Sequence, residues 1–149
     1  MDRFRHLDNH YIAFAKRYSA TLSRVALFII YFYFGFLKLI GQSPATTLAV
    51  GFAEKMGMAN YSHLLFIALA LVECLIGVLI LFPRLTRLAL FIMFGHMLIV
   101  SAPLLLYPEA VWLKPLVPNL EGQYIIKNAA LVALALGLVA HTTPLRKSR

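Results

Sequence analysis

Charge and cysteine are what this sequence has least of. One cysteine, Cys74, stands in 149 residues. No intrachain disulfide can form, and because Cys74 lies inside an apolar run it does not reveal the redox compartment. Charged residues make up 13% of the chain, against roughly 25% in an ordinary soluble domain. Only six residues are acidic. The sequence has no glycine-rich phosphate loop, no cysteine pair and no nucleophile elbow. It also has no internal repeat and no low-complexity segment.

Apolar residues take the place of what is missing, filling 61% of the chain. One soluble core of this size could not hide that much apolar surface, whereas a bilayer holds it. The net charge of +8 invites a nucleic-acid reading. However, the basic residues sit between and beyond the apolar runs rather than in one patch, which is how membrane topology is encoded. The partner expected is therefore the lipid bilayer, and no nucleic acid.

Four runs are long enough to span: residues 22–40, 64–82, 88–107 and 124–140. Each is close to the ~20 residues needed to cross ~30 Å of hydrocarbon as a helix. Strands are excluded, because the runs lack the two-residue alternation of a barrel. About twenty polar and amphipathic residues precede the first run, which is also longer than a signal-peptide core of ~7–15 residues; it reads as retained. The fold expected over residues 1–149 is thus one all-α membrane domain, a four-helix bundle. Ten of the fourteen basic residues, including all eight arginines, lie before or just inside the start of the first span, between the second and third, or in the tail. The positive-inside bias puts these segments, and both termini, in the cytoplasm.

The connections carry structure of their own. Phe4, Leu7, Tyr11, Phe14 and Tyr18 recur at spacings of three and four, which makes an apolar stripe on a helix. An interfacial helix over residues 3–19 is expected from it, with a frayed tail as the plain alternative. Ser43-Pro44 reads as a helix start and Gly57 as its stop. With the segment 108–118, which carries Trp112, this forms a pair of short helical caps over the outer end. The turn at 83–87 is so short that the second and third helices must be antiparallel neighbours. Ala129, Ala133 and Gly137 form a stripe of small residues suited to close packing, within the bundle or between copies.

Inside hydrocarbon the informative residues are the ionisable ones, since each costs roughly 2.5–3.5 kcal/mol or more at the centre of a helix. Glu73 lies midway along the second run and His96 just short of the middle of the third. The two helices are antiparallel neighbours, so the side chains fall at similar depth and are expected to share a proton. Such a pair can relay protons or hold the polar head of a quinone; equally, it can be two packing groups that satisfy each other. Lys38 and Lys127 come near the outer ends of the first and fourth helices. They either snorkel to the interface or, with Gln123 and Asn128 near Lys127, contact an anion, a headgroup or a quinone. Metal readings are weak. His96 is the one histidine deep in a span, so no paired-histidine haem site exists, and Met93 beside it is better explained as packing than as a copper ligand. No intrinsic cofactor is expected.

The motifs in order are Gly35-Phe36-Leu37-Lys38-Leu39, Gly51-Phe52-Ala53-Glu54-Lys55-Met56-Gly57, the acidic Glu73, and Leu120-Glu121-Gly122-Gln123-Tyr124-Ile125-Ile126-Lys127-Asn128. That series resembles the DoxX-like superfamily, with its YkgB- and RclC-like branches, over nearly the whole chain. The resemblance implies a multi-pass protein of the bacterial inner membrane. It also implies one of two roles: a subunit of a quinone-linked redox or oxidative-stress-defence system, or a non-catalytic scaffold for a partner protein or a second copy. Fold alone does not choose between them.

Overall fold

In the computed structural model, which describes residues 2–142, four helices are long and apolar enough to cross a membrane. The first, α1 (Asp2–Leu39), runs without interruption for 38 residues, about 57 Å at 1.5 Å per residue. The amphipathic segment expected to lie apart at the interface is therefore helical but continuous with the first span. The physical reason is in the sequence: no proline or glycine occurs before Gly35 to break the hydrogen-bond ladder. Its stripe is uncovered, with Phe4 81% and Tyr11 72% exposed. The tail residues Arg146, Lys147 and Arg149, counted above in the charge asymmetry, lie outside the described residues.

Helix α1 stops where Gly41 takes a positive φ of 71°. The amide of Gly41 donates to the Lys38 carbonyl and that of Gln42 to the Leu37 carbonyl, a Schellman ending. Helix α2 (Thr46–Lys55) closes in the same way on Gly57, at φ 77°. Its start is shifted from the one expected. Ser43 stands outside the helix, its hydroxyl accepting from the Ala45 amide at 3.2 Å, and Ala45 occupies the cap position.

After a 3-10 turn at Ala59–Tyr61, α3 (Ser62–Leu81) packs along α1. A second such turn, Pro83–Leu85, leads directly into α4 (Thr86–Ser101), the antiparallel neighbour expected. Arg24 of α1 ties this turn down, one guanidinium nitrogen donating to the Ile80 carbonyl at 2.9 Å and to the Thr86 hydroxyl at 2.5 Å. The third apolar run is interrupted. Pro103 opens the short α5 (Pro103–Leu106), because a proline has no amide to continue the α4 ladder.

The second connection is not purely helical. A single turn, α6 (Pro108–Val111), passes into a two-stranded antiparallel hairpin of β1 (Trp112–Lys114) and β2 (Val117–Pro118). Its tip holds Leu116 at φ 64°. The helical cap expected over 108–118 is thus one helical turn plus a hairpin; Pro115 and Pro118 deny a longer helix its amides. The hairpin is pinned to the bundle, with the Trp112 indole donating to the Leu104 carbonyl at 2.9 Å. Lys55 of α2 bonds Glu109, and this hydrogen bond holds the Glu109 carboxyl below the usual carboxylate range. Asn119 then caps α7 (Leu120–Ala140), accepting from the Gly122 amide at 2.9 Å while donating to the Ala110 carbonyl at 2.7 Å.

Leu27, Ile76, Ile80, Ala89, Met93 and Ala135 form a core with no exposed surface. It fills the half of the bundle towards the α3–α4 turn, hereafter the turn end; α2 and the hairpin cover the other, capped end. Outward-facing residues such as Phe91 and Leu98 are more than three-quarters exposed, a surface that suits lipid and would be a liability in water. The small-residue stripe of α7 also faces outward, since Ala129, Ala133 and Gly137 are all exposed.

Helices α1 and α3 approach so closely that a Cβ on Gly77 would lie 2.8 Å from the Phe32 amide nitrogen, whereas one on Gly95 would meet open space. Gly77→Ala is therefore expected to lower the melting temperature of the detergent-solubilised protein, at a cost of about 1–3 kcal/mol. Gly95→Ala should leave it unchanged or raised. Equal effects of the two would contradict this packing.

Candidate functional site

Glu73 sits on the buried face of α3 among Ala70, Ile76 and Gly77, all of which are shielded. It is itself 7% exposed. A carboxylate there requires partners, and both of its oxygens have one. The Lys38 ammonium donates to Oε2 at 2.6 Å, and His96 Nε2 lies 3.2 Å from Oε1. One residue from each of α1, α3 and α4 thus meets at a single carboxylate. Lys38 and His96 are as hidden as Glu73, at 9% and 6% exposure.

Helix direction explains why Lys38 is here. Side chains tilt towards the N-terminus of their own helix. A lysine one residue before the capped end of α1 therefore points back into the bundle. Snorkelling would take the stem the other way, and the structure replaces that expectation with an ion pair. Lys127 does stay outside. It is exposed on α7, its ammonium 5.4 Å from the Tyr124 ring centroid. Gln123 is exposed and Asn128 half-buried. The polar cluster anticipated around Lys127 does not join the one around Glu73, and Lys38 belongs with Glu73 instead.

The fourth member of the cluster is Tyr31, which sequence reasoning missed. It is 3% exposed, and its ring meets the His96 ring edge-on with centroids 5.5 Å apart. A signal for it exists in the sequence, because Arg24, Tyr31 and Lys38 are spaced by seven and so share one face of α1. Arg24 bonds the α3–α4 turn, Tyr31 meets His96, and Lys38 meets Glu73. That face is therefore the one α1 turns towards α3 and α4.

Two buried polar atoms among the described residues lack a hydrogen-bond partner: the Tyr31 hydroxyl and His96 Nδ1. Both belong to this cluster. With Glu73 ionised, Nε2 must carry the imidazole hydrogen to face the carboxylate, which leaves Nδ1 as a bare lone pair. The site then holds Lys⁺, Glu⁻ and neutral His, a set with no net charge, and that is the arrangement a low-dielectric interior tolerates best. It also holds an unused proton acceptor, Nδ1, and an unused donor, the tyrosine O–H.

Cys74, next to Glu73, points the other way. Its thiol is 3.8 Å from the Phe32 carbonyl, beside Gly35. Among the described residues no group of three or more His, Cys, Asp or Glu is arranged to hold a metal ion.

Removing either charge alone strands the other. Lys38→Met or Glu73→Leu singly should destabilise the solubilised protein by about 3–5 kcal/mol. The Lys38→Met/Glu73→Leu double variant should recover most of that loss. Strictly additive melting-temperature changes would show that the two groups do not interact.

The comparisons with known proteins give one result. A family model described as the DoxX-like family matches residues 28–136, a stretch that contains Tyr31, Lys38, Glu73 and His96. No curated protein and no solved structure matches the chain.

Proposed function

The chain belongs to the DoxX-like family, and we propose that it acts as a proton-handling membrane subunit of a quinone-linked redox or oxidative-stress-defence system. One observation carries this reading: a carboxylate at the centre of the bundle is gripped by an ammonium and an imidazole, and the outer imidazole nitrogen has no partner. Apolar packing would hold three helices together at lower cost than a buried ionic triad, so the triad points to use rather than to stability. The two orphan atoms also fit a quinone chemically, because a tyrosine O–H and a protonated His96 Nδ1 are both donors suited to a carbonyl oxygen. A bound quinone would supply the two-electron acceptor.

The residues then divide the work. His96 takes up a proton at Nδ1 and offers the one on Nε2 to Glu73 Oε1, 3.2 Å away. Lys38, bonded to Oε2, stabilises the carboxylate between transfers. Tyr31 orients the imidazole edge-on and contributes an unpartnered hydroxyl to the cluster. Gln123, Lys127 and Asn128 supply anion or headgroup contacts on the capped side.

A second reading, a non-catalytic scaffold for a protein partner or a second copy, is favoured by one feature. The Glu73 cluster is closed, with both carboxylate oxygens satisfied and all three side chains buried. Glu73→Gln separates the two readings, since it keeps size and hydrogen bonding but removes titration. For the proton-handling subunit, protection of cells against oxidant should fall to the level of a deletion strain, and it should stay there in Lys38→Met/Glu73→Gln, which removes the stranded ammonium and recovers most of the melting temperature. A fully protective Glu73→Leu protein would leave the scaffold reading standing.

We propose a bacterial inner-membrane location, which the family resemblance implies, with both termini cytoplasmic on the strength of the arginine distribution. Reporter fusions at the tail and after Glu109 should report cytoplasmic and external positions respectively. The reverse pattern would invert the capped and turn ends relative to the cell.

A further inference from the structure

At the turn end, far from the Glu73 cluster, Arg24, Pro83, Arg84, Arg87, His141 and Thr142 line a cleft of about 340 Å³. Among the described residues the lining carries three guanidinium groups, an imidazole and no carboxylate. The acidic residues lie elsewhere. Glu54, Glu109 and Glu121 belong to the cap and the capped end of α7, Glu73 is committed to Lys38, and Asp2 and Asp8 precede Arg24 on α1 by about 33 and 24 Å of helix. The cleft is also pre-shaped. Arg24 is fixed by two bonds from one nitrogen, to Ile80 and Thr86. The His141 ring is fixed by Nδ1–H donating to the Gly137 carbonyl at 2.9 Å, so Nε2 is a donor to an anion when the ring takes up a second proton there. We propose that this cleft binds a phosphate group, held by the guanidinium forks of Arg24 and Arg84 with His141 beside them.

Two sources would present the same chemistry: the headgroup of an anionic phospholipid or inorganic phosphate. The surroundings suit the lipid, since Phe82, Leu88 and Val139 lie within two residues of the lining in sequence and are 53%, 50% and 43% exposed. An acyl chain would cover that surface while its phosphate enters the cleft.

The test uses the full chain in neutral detergent, with melting temperature followed as phosphatidylglycerol, phosphatidylcholine or inorganic phosphate is added. Phosphatidylglycerol should raise the melting temperature by several degrees, with phosphatidylcholine doing much less. Arg84→Gln combined with His141→Asn should weaken the apparent affinity by about tenfold or more. Both positions are exposed, so this variant should still fold, and its melting temperature without additive checks that. Arg17→Gln, on α1 outside the cleft, is the control and should bind as the parent does. Stabilisation by millimolar inorganic phosphate alone, lost in the double variant, would identify the free ion as the ligand. Stabilisation by phosphatidylglycerol alone would identify the headgroup. No stabilisation by either overturns the proposal. So does equal stabilisation by phosphatidylcholine, or a loss in Arg17→Gln as large as in the double variant, which would mean diffuse surface charge.

Discussion

A carboxylate carried into the middle of an apolar helix has few options, and much of this bundle can be understood as the arrangement that accommodates one. Glu73 cannot face lipid and cannot rest against the alanine, glycine and isoleucine of its own helix. It needs a cation from one neighbouring helix and a hydrogen-bond donor from another, both at its own depth. Lys38 and His96 meet those terms, and in doing so they set how α1, α3 and α4 lie against each other. Packing alone leaves such helices freer to slide, because lipid is as apolar as the core and there is little hydrophobic drive between spans. The polar contact specifies register where apolar contact does not.

The apolar core and the polar cluster divide the bundle along its length. Towards the turn end, Leu27, Ile80, Ala89 and Ala135 leave no exposed surface, a dry plug between the Glu73 cluster and the basic cleft. Towards the capped end, the cover is built of α2, the hairpin and their ties: Lys55 to Glu109, Trp112 to Leu104, and Asn119 to Ala110. These are single hydrogen bonds at the bilayer edge, and they open more easily than a packed core. On the proposed proton-handling reading, exchange with the cluster runs through the cap rather than through the plug. That asymmetry is what a membrane subunit requires if it is to take protons from one face only.

Membership of the DoxX-like family fixes the architecture to which these residues belong, while the proposed activity rests on the cluster itself. The unpartnered Tyr31 hydroxyl and His96 Nδ1 matter most here. A purely structural polar contact is stable when every member is satisfied, and two open valences in one cluster are what the proposed working site would explain.

How much of this was legible without coordinates follows from the range of each interaction. Four spans, their order, the antiparallel second and third helices, and the Glu73–His96 encounter could all be read from the chain, because they depend on run length, on a five-residue turn and on the depth a helix imposes at 1.5 Å per residue. The continuity of α1 was legible too, in the lack of proline and glycine before Gly35, although the amphipathic stripe suggested a separate segment. The partner of Lys38 and the presence of Tyr31 were not. Whether a lysine near a helix end points to water or back into the bundle depends on which face α1 turns to α3, and that rotation is set by the close approach at Gly35 and Gly77. In the same way Lys127, identical in chemistry and near the same end, was left outside because α7 presents it to the surface. One sequence determined which groups enter the membrane. Only the rotation of each helix about its own axis, a property of all the packed helices at once, decided which of those groups meet.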